Sequence, residues 1–277
     1  MQATTLKKSV ELSGAGLHSG QVVRLVLNPE RDGHGIRFVR TDLPGSSMIQ
    51  SCDVDRNCPP FRTALKNGTA EVHTVEHVFS ALAALGVTDC LIEADGPEIP
   101  GMDGSALHFV EAIQSVGLEA MQNRVVEPVV VREKIVIQDG PASLEALPNA
   151  GGLRITYTLD YPGHSLAQGN YDFVLSEQAY RSEIAPARTF AIRPEAEKMR
   201  AAGFGKGANT QNTVIVDGEK AVDTQLRFPN EPVRHKILDL IGDLYVLGRP
   251  LHAHLIARFS GHRTNRMLAL ALMDAKL

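Results

Sequence analysis

Long apolar runs are missing from this sequence. Nowhere do about 18 apolar residues follow one another, so no membrane-spanning helix is expected. The N-terminus, MQATTLKKSVELSG, lacks the continuous apolar segment of a secretory signal peptide. We therefore expect a cytoplasmic protein without an integral membrane segment.

A surplus of basic residues is missing as well. The chain has 28 lysine and arginine residues against 32 aspartate and glutamate residues, which gives a net charge of -4. Such a chain has no general positive field that would draw it onto a phosphate backbone. We therefore expect no nucleic acid among its partners.

Cysteine is scarce, with Cys52, Cys58 and Cys90 as its only occurrences in 277 residues. Five residues separate the first two cysteines, whereas a zinc-binding pair usually encloses about two to four. The odd number also argues against a complete set of disulfides. We interpret all three as free thiols.

The residues that are present suit a globular protein with an ample core, since 43% are hydrophobic and 22% are charged. Segments rich in Val, Ile and Leu predict strands at 22–27, 36–40, 90–94, 129–137, 153–159 and 253–259. Helical periodicity predicts helices at 74–86, with Thr74 as the N-cap, at 106–116 and at 234–247.

The order of these elements occurs twice along the chain. Each half contains a strand pair, a segment ending FRTALKNG or ARTFAI, a helix, a strand (CLIEA or AHLIARF), a polar loop and another helix. We therefore predict an α+β fold of two related two-layer α/β sandwich domains, each an open sheet with helices on one face. The predicted domains are 1–123 and 124–277, joined near MQNRVVEP.

The second half holds an insertion at about 191–218, between ARTF and the following helix. A short helix is predicted in its middle, followed by a glycine-rich stretch. It is either a tolerated surface excursion or the wall of a passage for an apolar ligand. Phe190, Met199 and Phe204 favour the passage, because a solvated loop does not require such apolar side chains.

Polar residues recur at four-residue intervals in VRHKILDLIGDL, namely His235, Asp239 and Asp243. Residues four apart in an α-helix are offset by only about 40°, so these side chains form one stripe. The apolar residues fall on the other side, so the stripe is expected to face away from the core. A solvated helix face is the simplest interpretation of this segment alone.

The motif TVEH places Glu76 and His77 in a helix of the first half. In the repeat, this helix is equivalent to the one that carries His235. If the two helices pack side by side, His77 comes near His235 and Asp239. Two imidazoles and one carboxylate leave a coordination position of zinc for water, and Glu76 could accept a proton from that water. A first-turn acid is also favoured by the helix dipole alone. The same ligand set can hold Fe²⁺.

The loop SGHRTN supplies His262. A carboxylate such as Asp243 can hold its ring in one tautomer and raise its pKa, which makes it a charged acid near neutral pH. Two members of the stripe would then bind metal, and the third would orient a histidine.

Six motifs, in this order, resemble the zinc-dependent UDP-3-O-acyl-N-acetylglucosamine deacetylases of lipid A biosynthesis: GLHSG, TVEHVFSALAALG, IPGMDGSALHFVEAI, ARTF, RHKILDLIGDL and SGHRTNRMLALAL. The similarity begins at about Ser9 and runs to the C-terminus. It implies two α+β sandwich domains of related topology and one Zn²⁺ per chain. It also implies a nucleotide-sugar lipid substrate whose N-acetyl group is hydrolysed to the free amine and acetate.

The resemblance further implies roles for single residues. The metal ligands would be His77, His235 and Asp239. Glu76 would be the general base, His262 the general acid or electrostatic stabiliser, and Asp243 its partner. Thr189 would hydrogen-bond the oxyanion, and Lys236 would lie in the polar part of the site. The substrate-binding residues would be His18, Phe190, Met199 and Phe204, and the insertion would form the acyl-chain passage.

Two positions depart from the pattern of some family members. A cysteine before the TVEH helix can act there as an inhibitory zinc ligand, whereas this chain has Phe61 near that place and Cys58 shortly before it. Other members have a lysine just before SGH, where this chain has Phe259 preceded by Arg258. The sequence leaves the replacement for either group open.

Two other functions fit parts of the pattern. One is a non-catalytic carbohydrate or nucleotide-sugar binding protein with a degenerate metal site, and the other is a zinc hydrolase of a different amide or phosphoester. An apolar passage would favour the acylated substrate over a small polar one. Because no segment marks a subunit interface, we expect a monomer.

Overall fold

The computed structural model describes residues 1–45 and 47–275 and shows an α+β fold. The strands of the first half are β1 (Gln2–Leu6), β2 (Val10–Ala15), β3 (Val22–Pro29), β4 (Ile36–Arg40), β5 (Ile49–Gln50), β6 (Ala64–Asn67), β7 (Ala70–His73), β8 (Cys90–Ala94) and β9 (Leu118–Val125). Its helices are α1 (Glu76–Ala84) and α2 (Leu107–Val116).

The second half continues with nine further strand segments and four helices among the described residues. The strands are β10 (Val129–Val130), β11 (Ile135–Asp139), β12 (Ala142–Leu147), β13 (Leu153–Asp160), β14 (Gln168–Val174), β15 (Phe190–Ile192), β16 (Val214–Asp217), β17 (Lys220–Ala221) and β18 (Leu251–Arg258). The helices are α3 (Glu177–Ala179), α4 (Arg193–Ala201), α5 (Glu231–Leu244) and α6 (His262–Asp274).

The two main sheets have the same strand order. One runs β2-β3-β8-β4-β5 and the other β11-β12-β18-β13-β14, with β10 also pairing with β18. In each sheet the strand that comes last in the sequence lies at the centre, antiparallel to one neighbour and parallel to the other. A smaller sheet contains the parallel pair β15 and β16, which α4 connects.

Helices of the two halves pack on one another and on the main sheets. Helix α1 packs directly against α5, α5 also contacts β13 and β14, and α6 contacts β11 and β12. Apolar side chains of both sheets and of α1 and α5 form one continuous buried cluster. The two halves of the chain therefore meet where α1 and α5 touch.

One predicted strand is wrong as a single element. The segment predicted at 129–137 divides into β10 and β11, because β10 pairs with β18 whereas β11 pairs with β12. The residues between β10 and β11 therefore connect two different positions in the sheet. The strands predicted at 36–40 and 90–94 agree with β4 and β8 to the residue.

Helix α1 begins differently from the prediction. Thr74 does not cap it: its φ angle is 60°, and its hydroxyl donates a hydrogen bond to Glu98 at 3.2 Å. Helix α1 starts at Glu76 after Val75. Helix α5 starts at Glu231, three residues before the predicted Arg234, because Pro232 suits a first helical turn.

We predict that Gly242→Ala destabilises the protein. A β-carbon at Gly242 in α5 would overlap the carbonyl group of Glu76 in α1, so the helices would have to separate. Overpacking of this kind costs about 1 to 3 kcal/mol in the free energy of unfolding, which urea denaturation measures. Gly151→Ala is the control, because its nearest new contact is an ordinary 3.7 Å. Equal stability of the two variants would contradict the prediction.

Candidate metal and catalytic site

Helices α1 and α5 bring the three predicted metal ligands together. His77 Nε2 lies 3.9 Å from Asp239 Oδ1, and His235 Nε2 lies 3.2 Å from the same oxygen. The two imidazole rings are 5.2 Å apart between centroids and stand at 89° to each other. His235 and Asp239 share one face of α5 because they are one helical turn apart. One potential ligand atom from each residue falls within a cluster spanning no more than 4.8 Å.

The free atoms of this cluster fit a cation. Asp239 Oδ1 is buried and accepts no hydrogen bond from the residues that the structure describes. The Nδ1 atom of His235 lies 3.0 Å from the carbonyl oxygen of Ala187, so it donates there and leaves the Nε2 lone pair facing Asp239. A buried carboxylate oxygen without a donor is costly, and a divalent metal between it and two imidazoles would satisfy it.

The stripe is not a solvated face, so that interpretation is wrong. His235, Asp239 and Asp243 are 1%, 2% and 1% exposed. The apolar side of α5 packs on its sheet, and its polar side packs on α1. Both sides of the helix are therefore inside the protein, which the amphipathic pattern alone does not reveal.

His262 is held by Asp243. Its Nδ1 atom lies 2.9 Å from Asp243 Oδ2 and 3.1 Å from Oδ1. The same carboxylate accepts hydrogen bonds from Thr63 Oγ1 at 2.7 Å and from Asn265 Nδ2 at 2.8 Å. Since a carboxylate only accepts, Nδ1 carries the proton. The other ring nitrogen, Nε2, then lies 3.7 Å from Asp239 Oδ2.

These contacts keep His262 charged. Burial alone would lower its pKa, but the Asp243 and Asp239 carboxylates outweigh burial and raise the pKa to about 9. An imidazolium near neutral pH can donate a proton or stabilise a negative charge.

Glu76 lies in the same buried space. Its Oε2 atom accepts a hydrogen bond from the backbone nitrogen of Thr63 at 3.0 Å. Burial, reinforced by Asp243 and Asp239, raises its pKa to about 8, although His262 acts in the opposite direction. A carboxyl group with such a pKa can take and return a proton near neutral pH.

Lys236 forms a hydrogen bond with the other oxygen of Asp239. Its Nζ donates to Asp239 Oδ2 at 2.9 Å and lies 5.7 Å from the centre of the Phe190 ring. Burial opposes the charge of Lys236, but Asp239 outweighs burial and raises the lysine pKa. Burial also opposes the charge of Asp239, whose pKa nevertheless stays well below its usual range because His235, Lys236 and His262 are close.

The cluster opens onto a cavity of about 310 Å³. Site residues on its wall are Glu76, His77, Thr189, Lys236, Asp239 and His262. His18, Phe190 and Met199 line it as well, as predicted substrate contacts should. Apolar residues of the insertion, such as Ile215, also belong to this lining.

Phe204, the fourth predicted substrate contact, is next to this lining and is not among the described residues that form it. Its ring packs 4.7 Å from that of Phe61 and 6.0 Å from that of His18, between centroids. Phe204 therefore packs against two of the residues that line the cavity. Burial lowers the pKa of His18 to about 4, although Glu98 opposes this, so His18 is neutral at physiological pH.

Thr63 was missed by the sequence analysis, although it contacts two site carboxylates. Its hydroxyl bonds Asp243 and its backbone nitrogen bonds Glu76. Thr63 stands in FRTALKNG, where no local pattern indicates a partner 180 residues away. Cys58 is buried nearby, and its Sγ donates to the Arg62 carbonyl oxygen at 3.3 Å. It is Phe61 that reaches the cavity wall.

Within residues 1–45 and 47–275, the helices are too short or too polar to cross a membrane.

The free thiols predicted for Cys52, Cys58 and Cys90 are confirmed.

The chain is similar to named proteins over nearly its whole length. Three proteins named UDP-3-O-acyl-N-acetylglucosamine deacetylase illustrate the similarity. The one from Syntrophus aciditrophicus is 37% identical over 98% of this chain and 85% of its own length. The Myxococcus xanthus protein is 39% identical over 98% and 86%, and the Synechocystis sp. protein is 37% identical over 98% of both chains.

A family model covers nearly the whole sequence. The model described as UDP-3-O-acyl N-acetylglycosamine deacetylase matches residues 3–274, which include both helices that form the candidate site. The chain therefore belongs to the UDP-3-O-acyl N-acetylglycosamine deacetylase family.

Proposed function

We propose that this protein hydrolyses the N-acetyl group of UDP-3-O-(3-hydroxyacyl)-N-acetylglucosamine, releasing acetate and the free amine as the committed step of lipid A biosynthesis. Family membership supports the reaction. The observation that carries it is the cavity, where a buried metal-ligand set, a carboxyl group and a charged histidine meet an apolar wall.

His77, His235 and Asp239 would hold one Zn²⁺, while Fe²⁺ remains chemically compatible with the same donors. When bound, the metal would polarise the amide carbonyl and make water more acidic. The unpartnered Asp239 Oδ1 and the two facing imidazoles support this assignment.

Glu76 would take the proton from the attacking water, because it borders the cavity beside His77. The backbone nitrogen of Thr63 keeps the carboxyl group in place. As the carbonyl carbon becomes tetrahedral, the hydroxyl of Thr189 and the His262 imidazolium would donate hydrogen bonds to the oxyanion. One such preorganised donor contributes roughly 3 to 4 kcal/mol to the transition state.

The leaving nitrogen needs a proton before it departs. His262 would supply it from Nε2, while Asp243 holds Nδ1 and stabilises the charged ring. Glu76, after accepting the water proton, is the other possible donor. Lys236, which lines the cavity, would contact oxygen atoms of the substrate.

The insertion at about 191–218 would form the passage for the acyl chain. Met199 and Ile215 on the cavity wall support this, together with Phe190 at its start. The proposed substrate carries one apolar chain and one polar head, which suits a cavity lined by both apolar and charged side chains.

The two halves, 1–123 and 124–277, would be copies of one sandwich unit. The shared strand order of the two main sheets and the direct packing of α1 on α5 support this. Strand β9 extends slightly past the proposed boundary, to Val125. We further propose that the enzyme acts as a cytoplasmic monomer on a soluble nucleotide-sugar lipid.

Removal of metal is expected to abolish acetate release. The test measures the zinc content of the purified protein and acetate formation from the proposed substrate, before and after dialysis against a chelator. We expect about one zinc per chain and recovery of activity when Zn²⁺ is restored. Bound metal without acetate release would contradict the proposed substrate. Activity that survives complete metal removal would contradict the proposed metal-dependent mechanism.

Variants should separate metal ligands from proton-transfer groups. Glu76→Ala and His262→Ala are expected to lower kcat by about 10²- to 10⁴-fold while zinc content stays near one per chain. His77→Ala should instead deplete zinc, because a ligand is lost. His254→Ala is the control, since this histidine bonds Thr156 on the sheet. Loss of zinc in the Glu76 or His262 variant would show that the roles are assigned wrongly.

The metal-free protein should lose stability as the pH rises from 6.5 to 9.5. The folded-state pKa values of about 8 for Glu76 and about 9 for His262 lie above the ordinary values of 4.5 and 6.5, so the folded state binds more protons. The free energy of unfolding should therefore fall with pH, by on the order of 2 kcal/mol. Urea denaturation at each pH measures it.

The control for this pH dependence is the double variant Glu76→Gln, His262→Gln, which should show a shallower decline over the same range. A stability that stays flat or rises with pH in the unmodified chain would contradict the raised pKa values.

A further inference from the structure

The segment Ala187–Phe190 touches the candidate site at several points. The carbonyl oxygen of Ala187 lies 3.0 Å from Nδ1 of His235, and Thr189 and Phe190 line the cavity. The geometry of this segment therefore influences both a metal ligand and the donor to the oxyanion. Its remaining residue, Arg188, points away from the cavity lining.

Arg188 is held by Glu231, the first residue of α5. The backbone nitrogen and Nε of Arg188 each lie 2.9 Å from Glu231 Oε1, and Nη2 lies 3.2 Å from Oε2. Both side chains are buried, at 5% and 0% exposed. One carboxylate thus fixes the backbone and the guanidinium of the same residue.

Other contacts complete the network. Glu231 Oε2 also accepts a hydrogen bond from the backbone nitrogen of Arg227 at 2.7 Å. The guanidinium of Arg188 donates to Thr224 Oγ1 at 3.0 Å and to the Gln225 carbonyl oxygen at 2.6 Å. From the first half of the chain, the carbonyl oxygen of Gly104 accepts a hydrogen bond from the backbone nitrogen of Thr189 at 2.7 Å. The segment is therefore held on both sides.

Burial of such a pair is not explained by stability. Desolvation of two charges costs several kcal/mol, and apolar replacements of buried ion pairs are often neutral or stabilising. What this pair provides is geometry: Glu231 and His235 are one turn apart on α5, so the same rigid helix anchors the segment and presents the histidine that the segment contacts.

We infer that Arg188 and Glu231 are positioning residues, which hold the Ala187 carbonyl against His235 and the side chain of Thr189 at the cavity. The inference rests on the proposed function. Partners that orient a metal-ligating histidine typically change metal affinity or activity by about 10- to 100-fold when they are altered.

The test is Glu231→Gln in the full chain. The amide keeps one oxygen as an acceptor but places its NH₂ group opposite the remaining donors, so the segment should shift with little change in side-chain volume. Arg188→Lys is a second variant, which keeps the charge and loses the forked hydrogen bonds. Glu30→Gln is the matched control, because Glu30 is also a buried carboxylate paired with an arginine, Arg37, and is not part of the cavity lining described here.

The measurements are the Zn²⁺ dissociation constant of the metal-free protein, by competition with a chelating indicator, the kcat and KM for acetate release, and the Tm. We expect Glu231→Gln and Arg188→Lys to weaken Zn²⁺ binding and to lower kcat, each by about 10- to 100-fold, with KM within about threefold of the unmodified value. Glu30→Gln should lower Tm while Zn²⁺ affinity and kcat stay within about twofold.

A lowered Tm with unchanged Zn²⁺ affinity and kcat, measured below the Tm of each variant, would overturn the inference, because the pair would then be structural only. If the unmodified protein binds Zn²⁺ without releasing acetate, the proposed function fails while the Zn²⁺ affinities still decide the positioning role. An unmodified protein that binds no Zn²⁺ would overturn both. If Glu231→Gln does not fold, Arg188→Lys decides.

Discussion

Direct backbone contact between α1 and α5 determines where the reactive side chains lie. Gly242 permits this contact, because its missing side chain leaves room for the carbonyl group of Glu76. At this distance the polar side of α5 faces the first turn of α1. His77 from one half of the chain and His235 and Asp239 from the other then share one small space. If the two helices were farther apart, each half of the chain would hold only part of the candidate metal-ligand set.

Burial of this space makes its charges depend on one another. Glu76, Asp239 and Asp243 are three carboxyl groups in a region with almost no solvent, and such groups resist ionisation unless cations or donors are near. Lys236 bonds Asp239, and His262 bonds Asp243. Glu76 accepts a hydrogen bond from the backbone nitrogen of Thr63, and burial raises its pKa to about 8.

Much of the local structure could be predicted from the sequence. Strands β4 and β8 agree to the residue because each is a short apolar run bounded by turn residues. The segment after Val130 could not be assigned correctly, since its break depends on which strands β10 and β11 pair with. Thr74 looked like a helix cap, but its hydroxyl is engaged by Glu98, far from the helix start in sequence.

The sequence by itself determined the chemistry that is available: the four-residue spacing of His235, Asp239 and Asp243, the Glu76 and His77 pair, and the apolar insertion, all read from local order. Only the tertiary structure decided that the stripe is buried, that Thr63 bonds two site carboxylates, and that Phe204 packs on His18 and Phe61. The physical reason is that spacing along a helix determines which side chains share a face, whereas the neighbour of that face is determined by packing between segments far apart in the chain.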